Sequence, residues 1–156
     1  PYQGKICDFN AISVIRDVIT MIASEQCVFE TINIDNDIAK VTMSEDHFRQ
    51  VLYNIIKNGI EASPENSRIE IKAKINNDRL SVIVSDLGEG MSDEVRQKIF
   101  DPFFTIKSKY SEGGLGLGLS TTKVIIESMG GSIDCVSEEG KGTTFTIDLP
   151  INIVTQ

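Results

Sequence analysis

"GGLGLGLS", residues 113–120, decides how the chain folds, because it admits two readings that lead to different architectures. Leu115, Leu117 and Leu119 recur at period two, the signature of a half-buried strand. The residues between them are glycines, which pack nothing and lose much entropy on ordering, so a strand gains little here. Glycines suit another task, in which backbone N–H groups line up against an anion ahead of a helix. "LSTTKVIIESM" (119–129) reads as such a helix, and Gly130-Gly131 ends it. The stretch therefore divides into Gly113–Gly118, the end of a flexible loop, and a helix from Leu119 onward. Two common phosphate loops do not fit. There is no GxxxxGK[ST], and Gly114, Gly116 and Gly118 run GxGxG after a loop, not GxGxxG after a strand.

The totals bound what that loop can belong to. A chain of 156 residues makes one compact domain, taken here as 1–156, and 40% hydrophobic with 24% charged residues is ordinary for a globular protein. A net charge of −8 argues against a nucleic-acid or anionic-membrane surface, and an anionic ligand must be held by local donors or a metal. No apolar run approaches the ~20 residues of a membrane span, and no signal peptide stands at the start. The chain begins at Pro1 and not Met, which suggests a piece of a longer protein. Cys7, Cys27 and Cys135 form no CxxC pair and read as small core residues of a reducing compartment.

The hydrophobic pattern supplies the frame. "AISVIRDVITMIAS" (11–24) puts Ile12, Ile15, Val18, Ile19 and Ile22 on one helical face. "VFETINID" (28–35) alternates like a strand and "AKVTM" (39–43) reads as its return. Ser44 caps the next helix, which runs to about Ser63 before Pro64. "RIEIKAKIN" (68–76) and "LSVIVSD" (80–86) make a hairpin, "SDEVRQKIF" (92–100) a short capped helix. "SIDCVS" (132–137) and "TTFTIDLP" (143–150) close the chain as a second hairpin. Strands mixed with three longer helices predict an α/β two-layer sandwich with helices on one sheet face.

Four stretches carry candidate chemistry. In "RQVLYNIIKNGIEAS" (49–63), Val51, Leu52, Ile55, Ile56 and Ile60 make the buried stripe, with Gln50, Asn54, Lys57, Asn58 and Glu61 opposite. Spacing alone makes that second face solvated, yet asparagine is a poor interior helix former. An amide oxygen such as that of Asn58 suits a hard cation, and Lys57 suits phosphate. "DLGEGM" (86–91) follows a strand; alone it is an ordinary turn, but its carboxylate suits an exocyclic amine and its glycines admit a flat ring. "IFDPFFTIK" (99–107) places Phe100, Phe103 and Phe104 where they pack a loop or hinge a mobile segment bearing Lys107. The fourth stretch is "GGLGLGLS".

In this order the four stretches closely resemble the N, G1, F and G2 boxes of sensor histidine kinases, and the match covers nearly the whole chain as their catalytic, ATP-binding domain. The resemblance implies the Bergerat fold, a mixed, mostly antiparallel sheet with three main helices on one face and a mobile ATP lid. It implies ATP and Mg²⁺ as ligands, with Asn54, Lys57 and Asn58 at the reaction and Asn58 on the metal. Asp86 would read adenine N6, with Gly88, Gly90 and Met91 shaping the wall. Phe100 through Gly114, with Phe104 and Lys107, would form the lid; Gly114, Leu115, Gly116, Leu117 and Gly118 would line the phosphates, and Thr143 or Thr144 would complete the adenine site. Leu87, Gly59 and Leu115 depart from the usual Asn, Ala and Thr.

One position separates branches of that superfamily. Hydrolysing members and the related serine kinases carry a Glu four residues before the metal asparagine, and here Asn54 stands there. An amide accepts no proton from water or a serine hydroxyl, whereas a neutral imidazole is already nucleophilic. Phosphoryl transfer to histidine is therefore favoured over a GHKL ATPase or serine kinase using another base such as Glu61, or a non-catalytic nucleotide sensor. His47 is followed by Phe48 and not an acidic residue, so the acceptor is expected elsewhere. By resemblance the partners are an upstream dimeric phosphoacceptor helical domain and a response-regulator receiver domain. The parent is then a homodimer and this piece a cytoplasmic monomer that does not label itself.

Overall fold

The hydrophobic stripe of 45–62 becomes the central helix of the molecule. The computed structural model describes residues 4–22, 27–32, 40–102, 104 and 117–152. The chain forms β1 (Ile6–Asn10), α1 (Ala11–Ile22), β2 (Cys27–Ile32), β3 (Lys40–Ser44), α2 (Glu45–Ala62), β4 (Ser67–Asn76) and β5 (Arg79–Ser85). After these come α3 (Asp93–Arg96), α4 (Leu117–Ser128), β6 (Ser132–Glu138) and β7 (Gly142–Pro150).

Ser44 Oγ accepts from the His47 N–H at 3.3 Å, with Glu45 and Asp46 in the positive first turn of α2. The helix ends where Ser63 donates its N–H to the Ile60 carbonyl ahead of Pro64. Phe48, Val51, Leu52, Ile55, Ile56 and Gly59 are its buried face. Against it lie the inward residues of the sheet, among them Ile69, Ile71, Leu80, Val82, Phe145 and Ile147. Burying each such Leu or Ile contributes about 1.5–3 kcal/mol, so packing and not helix propensity holds α2. Ser44→Ala removes only the cap. We expect it to cost about 1 kcal/mol, seen by calorimetry as a fall of roughly 2–4 °C in Tm.

Two pairings depart from the sequence reading. The five-stranded sheet has the order β2-β4-β5-β7-β6, and β2 joins it parallel to β4, Cys27 opposite Ser67. The strand at 40–44 is not the return of β2; it pairs antiparallel with β1, Ile6 opposite Ser44. A parallel pair needs a crossover, and β3 with α2 supplies it, which lays α2 across the sheet. The β4–β5 and β6–β7 hairpins are as read. The segment after Ser92 keeps one α-turn and then continues in three-residue turns, Lys98 N–H to Val95 O and Asp101 N–H to Lys98 O. Helix α4 starts at Leu117, two residues before Leu119, so Gly118 lies inside its first turn. It ends as its glycines require, Gly131 N–H on Ile126 O and Gly130 N–H on Glu127 O.

Candidate functional site

Strand β5 ends in a buried carboxylate. Asp86 is 6% exposed, and its Oδ1 accepts the Gly88 N–H at 2.9 Å and the Thr143 N–H at 3.2 Å. The Asp86 N–H in turn donates to the Thr143 carbonyl at 2.9 Å. Two donors on one oxygen fix the carboxylate plane, and Oδ2 faces α2, where a Cβ on Gly59 would lie 3.7 Å from it. Gly88 packs so closely on the end of α2 that a Cβ there would run into the Ala62 carbonyl. Glycine at 88 thus lets the loop after β5 close on the last turn of α2 beside Asp86.

The hairpin β6–β7 forms the next wall. Ser137 Oγ accepts the Met91 N–H at 2.8 Å, lies 2.8 Å from Thr143 Oγ1 and donates to the Gly142 carbonyl at 3.1 Å. A Cβ on Gly90 would meet the Glu138 carbonyl, so that loop also needs its glycine. Of the two threonines expected beside the ring, Thr143 is at Asp86. Thr144 is on the opposite face of β7, 3.0 Å from Ser85 Oγ, because alternate strand residues point to opposite faces. Cys135 is half-buried on β6. Burial pushes its thiol up to about 11, Arg96 acting downward and the Asp86 charge upward, so at neutral pH it is no nucleophile.

The asparagine face of α2 is the third wall. Lys57 is exposed and pairs with Glu61 at 3.9 Å while lying 5.7 Å from the Tyr53 ring centroid. Asn58, next to Gly59, is half-buried. Asn54 turns toward α4: its Nδ2 donates to Thr122 Oγ1 at 3.0 Å and approaches the Gly118 carbonyl at 3.5 Å. Two sets of contacts therefore meet α2: Asn54 with Thr122 and Gly118, and, beside Gly59 and Ala62, Asp86 with Gly88 and Thr143. Phe104 is half-buried against the core, its N–H on Asp101 O. Lys107, Gly114, Leu115 and Gly116 lie outside the described residues, and of Leu117 only the backbone is described. Ser137, Gly142 and Thr122 were missed by sequence reasoning. Gly142 had a signal, as the second glycine of "EEGKG", and Thr122 had one as a polar residue on the apolar stripe of α4.

The donor set fits a magnesium nucleotide. A neutral amide oxygen at Asn58 is a hard ligand, the Lys57 ammonium beside it suits phosphate, and the Gly118 end of α4 presents a helix N-terminus. Among the described residues no cluster of His, Cys, Asp or Glu would hold a metal instead, and no helix is long and apolar enough to cross a membrane.

Comparison with known proteins agrees with this arrangement. Residues 43–153 match the family model described as "Histidine kinase-, DNA gyrase B-, and HSP90-like ATPase". Sporulation kinase D of Bacillus subtilis is 41% identical over 112 residues, 72% of this chain and 21% of that protein. The signal transduction histidine-protein kinase AtoS of Escherichia coli is 34% identical over 152 residues, 96% of this chain and 24% of that protein. The chain thus spans about a fifth to a quarter of the length of such relatives. The nucleotide-free catalytic domain of histidine kinase ThkA superposes with a TM-score of 0.80 at 32% identity, over 95% of this chain and 97% of that one.

Proposed function

The chain belongs to the histidine kinase-, DNA gyrase B- and HSP90-like ATPase family, as a sensor histidine kinase catalytic domain, and on that premise we propose how its residues work. It binds Mg·ATP and passes the γ-phosphoryl group to a histidine on a separate helical phosphoacceptor domain, for onward transfer to a response-regulator receiver domain. The observation that carries this reading is the Asp86 carboxylate, pinned through Oδ1 by two backbone N–H groups with Oδ2 turned toward the asparagine-bearing helix. A fixed acceptor at that place suits the exocyclic amine of adenine, with Gly88, Gly90 and Met91 as the wall of the ring and Thr143 beside it.

From that anchor the phosphates extend along α2 toward the start of α4. Asn58 would hold Mg²⁺, which when bound neutralises charge on the phosphates. Lys57, released from Glu61, would meet a phosphate oxygen, and the N-terminus of α4 at Gly118 would face the other side. The chain supplies no base at position 54, and Asn54 Nδ2 is itself a donor to Thr122. Water is therefore a poor acceptor. A neutral imidazole attacks phosphorus through its own lone pair, the P–N bond forming as the bond to ADP breaks. His47 sits in the capped first turn of α2, and in this reading it is not the acceptor. In this reading the domain is cytoplasmic and the parent protein a homodimer.

Incubating this domain with γ-labelled ATP, Mg²⁺ and a separately supplied phosphoacceptor domain tests the proposal. We expect acid-labile, base-stable label on the acceptor histidine and none on His47. Steady phosphate release by the domain alone, lost in Glu61→Gln, would instead make it an ATPase with a displaced base.

A further inference from the structure

The geometry points to Thr122 as a positioning residue for phosphoryl transfer, clamped to Asn54 so that the first turn of α4 is held in register with Asn58. This deepens the nucleotide reading above and rests on it. Thr122 is a fully buried polar side chain on a helix face otherwise made of Ile125, Ile126 and Met129. A buried hydroxyl is tolerated only when satisfied, and this one is satisfied twice. Its proton goes to the Gly118 carbonyl one turn back, at 2.6 Å, and its lone pair receives Asn54 Nδ2 at 3.0 Å.

The pattern also fixes the amide. The Gly118 carbonyl can only accept, and the single proton of Thr122 is already spent on it. The atom of Asn54 facing both must therefore be the NH₂, which leaves Oδ1 pointing away from α4. A carboxylate at 54 would put charge against a carbonyl and a hydroxyl lone pair. Asn54 thus serves as a strut between helices, a role that the face opposite the apolar stripe did not announce. Thr122 acts through Gly118 and Asn54 and does not itself touch the nucleotide.

The clamp joins the two elements that hold the phosphates. Asn58 is one helical turn beyond Asn54, and Gly118 is in the turn of α4 that follows the glycine-rich loop. Loosening the clamp frees that turn relative to Asn58 while leaving Asp86, Gly88 and Thr143 in place, since those are held by the β6–β7 hairpin and the end of α2. The phosphate end of the ligand is then weakened and the adenine end is not.

The test is calorimetric titration of the 156-residue chain with Mg·ATP and, separately, adenosine, in Thr122→Val, Thr122→Ser, Asn54→Ala and the double variant Asn54→Ala/Thr122→Val. Thr122→Val keeps the shape and removes the hydroxyl. We expect it to weaken Mg·ATP about tenfold, the order of one buried hydrogen bond, and adenosine less than about twofold. Thr122→Ser should restore Mg·ATP binding to within about twofold, and the double variant should be no worse than the worse single one. Equal weakening of both ligands, an unchanged Mg·ATP affinity, or additive single effects would each overturn the clamp. A wild-type chain that binds no ATP would sink the nucleotide reading instead. The clamp then stands or falls on thermal unfolding of the same four variants: non-additive losses support it, and additive losses overturn it.

Discussion

Asp86→Asn is expected to weaken Mg·ATP binding by the isolated domain about 100-fold or more, close to 3 kcal/mol, while its Tm moves by only a few degrees. The substitution is nearly isosteric, and one amide oxygen can still accept the Gly88 and Thr143 N–H groups that Oδ1 accepts now. The fold keeps its turn. What changes is the other atom: the NH₂ takes the place of Oδ2, on the side facing Gly59. In the proposed pose, an adenine amine then meets a donor where it needs an acceptor, and two buried polar groups are left unpaired. Such a mismatch costs far more than a missing apolar contact, because neither group recovers the water it gave up. Titration calorimetry with a parallel thermal melt reads both quantities. A wild-type affinity in a folded Asp86→Asn protein would remove adenine from this carboxylate.

The parts legible in the sequence were those set by local rules. The 3.6-residue stripe, the Ser44 cap and Pro64 delimited α2, and period-two alternation with Asn77 at its turn gave the β4–β5 hairpin. The parallel β2–β4 pair was not legible, because nothing local says which strand a crossover will bring alongside. Nearness made 39–43 look like the partner of 28–35, whereas β1, more than 30 residues earlier at its Ile6–Ser44 pair, is the partner. At the proposed site, residue types singled out Asp86 and Asn58 but not their surroundings. Whether Thr143 or Thr144 faces Asp86 depends on strand register, which a one-residue slip reverses. The start of α4 moved to Leu117, where Gly118 gains side-chain partners from Thr122 one turn on in the same helix and from Asn54 of α2, contacts that propensity does not contain. Leu87, which stands where the resembling family has Asn, is exposed at 65%, and nothing in the structure explains it.

Gly142→Ala is expected to cost about 2–5 kcal/mol, through backbone strain and overpacking together. Gly142 opens β7 at φ +95°, outside the region that L-residues favour. A Cβ there would run into the Asp86 carbonyl and lie 3.0 Å from Leu87 Cα, and both are backbone with no side-chain end to yield. Relief requires moving Asp86 away from β7, which stretches the Thr143 N–H to Oδ1 bond that orients the carboxylate. Stability and nucleotide affinity should therefore fall together, Tm by roughly 5–15 °C and Mg·ATP binding measurably even well below the melt. Gly140→Ala separates the two causes. Gly140 has φ +80°, yet a Cβ there meets nothing within 4 Å, and its N–H stays on the Glu89 carbonyl. It should lose only the conformational part, about 1 kcal/mol, and bind Mg·ATP as the wild type does. If Gly140→Ala impaired binding as much as Gly142→Ala, the damage would come from loosening the hairpin as a whole and not from the contact between Gly142 and Asp86.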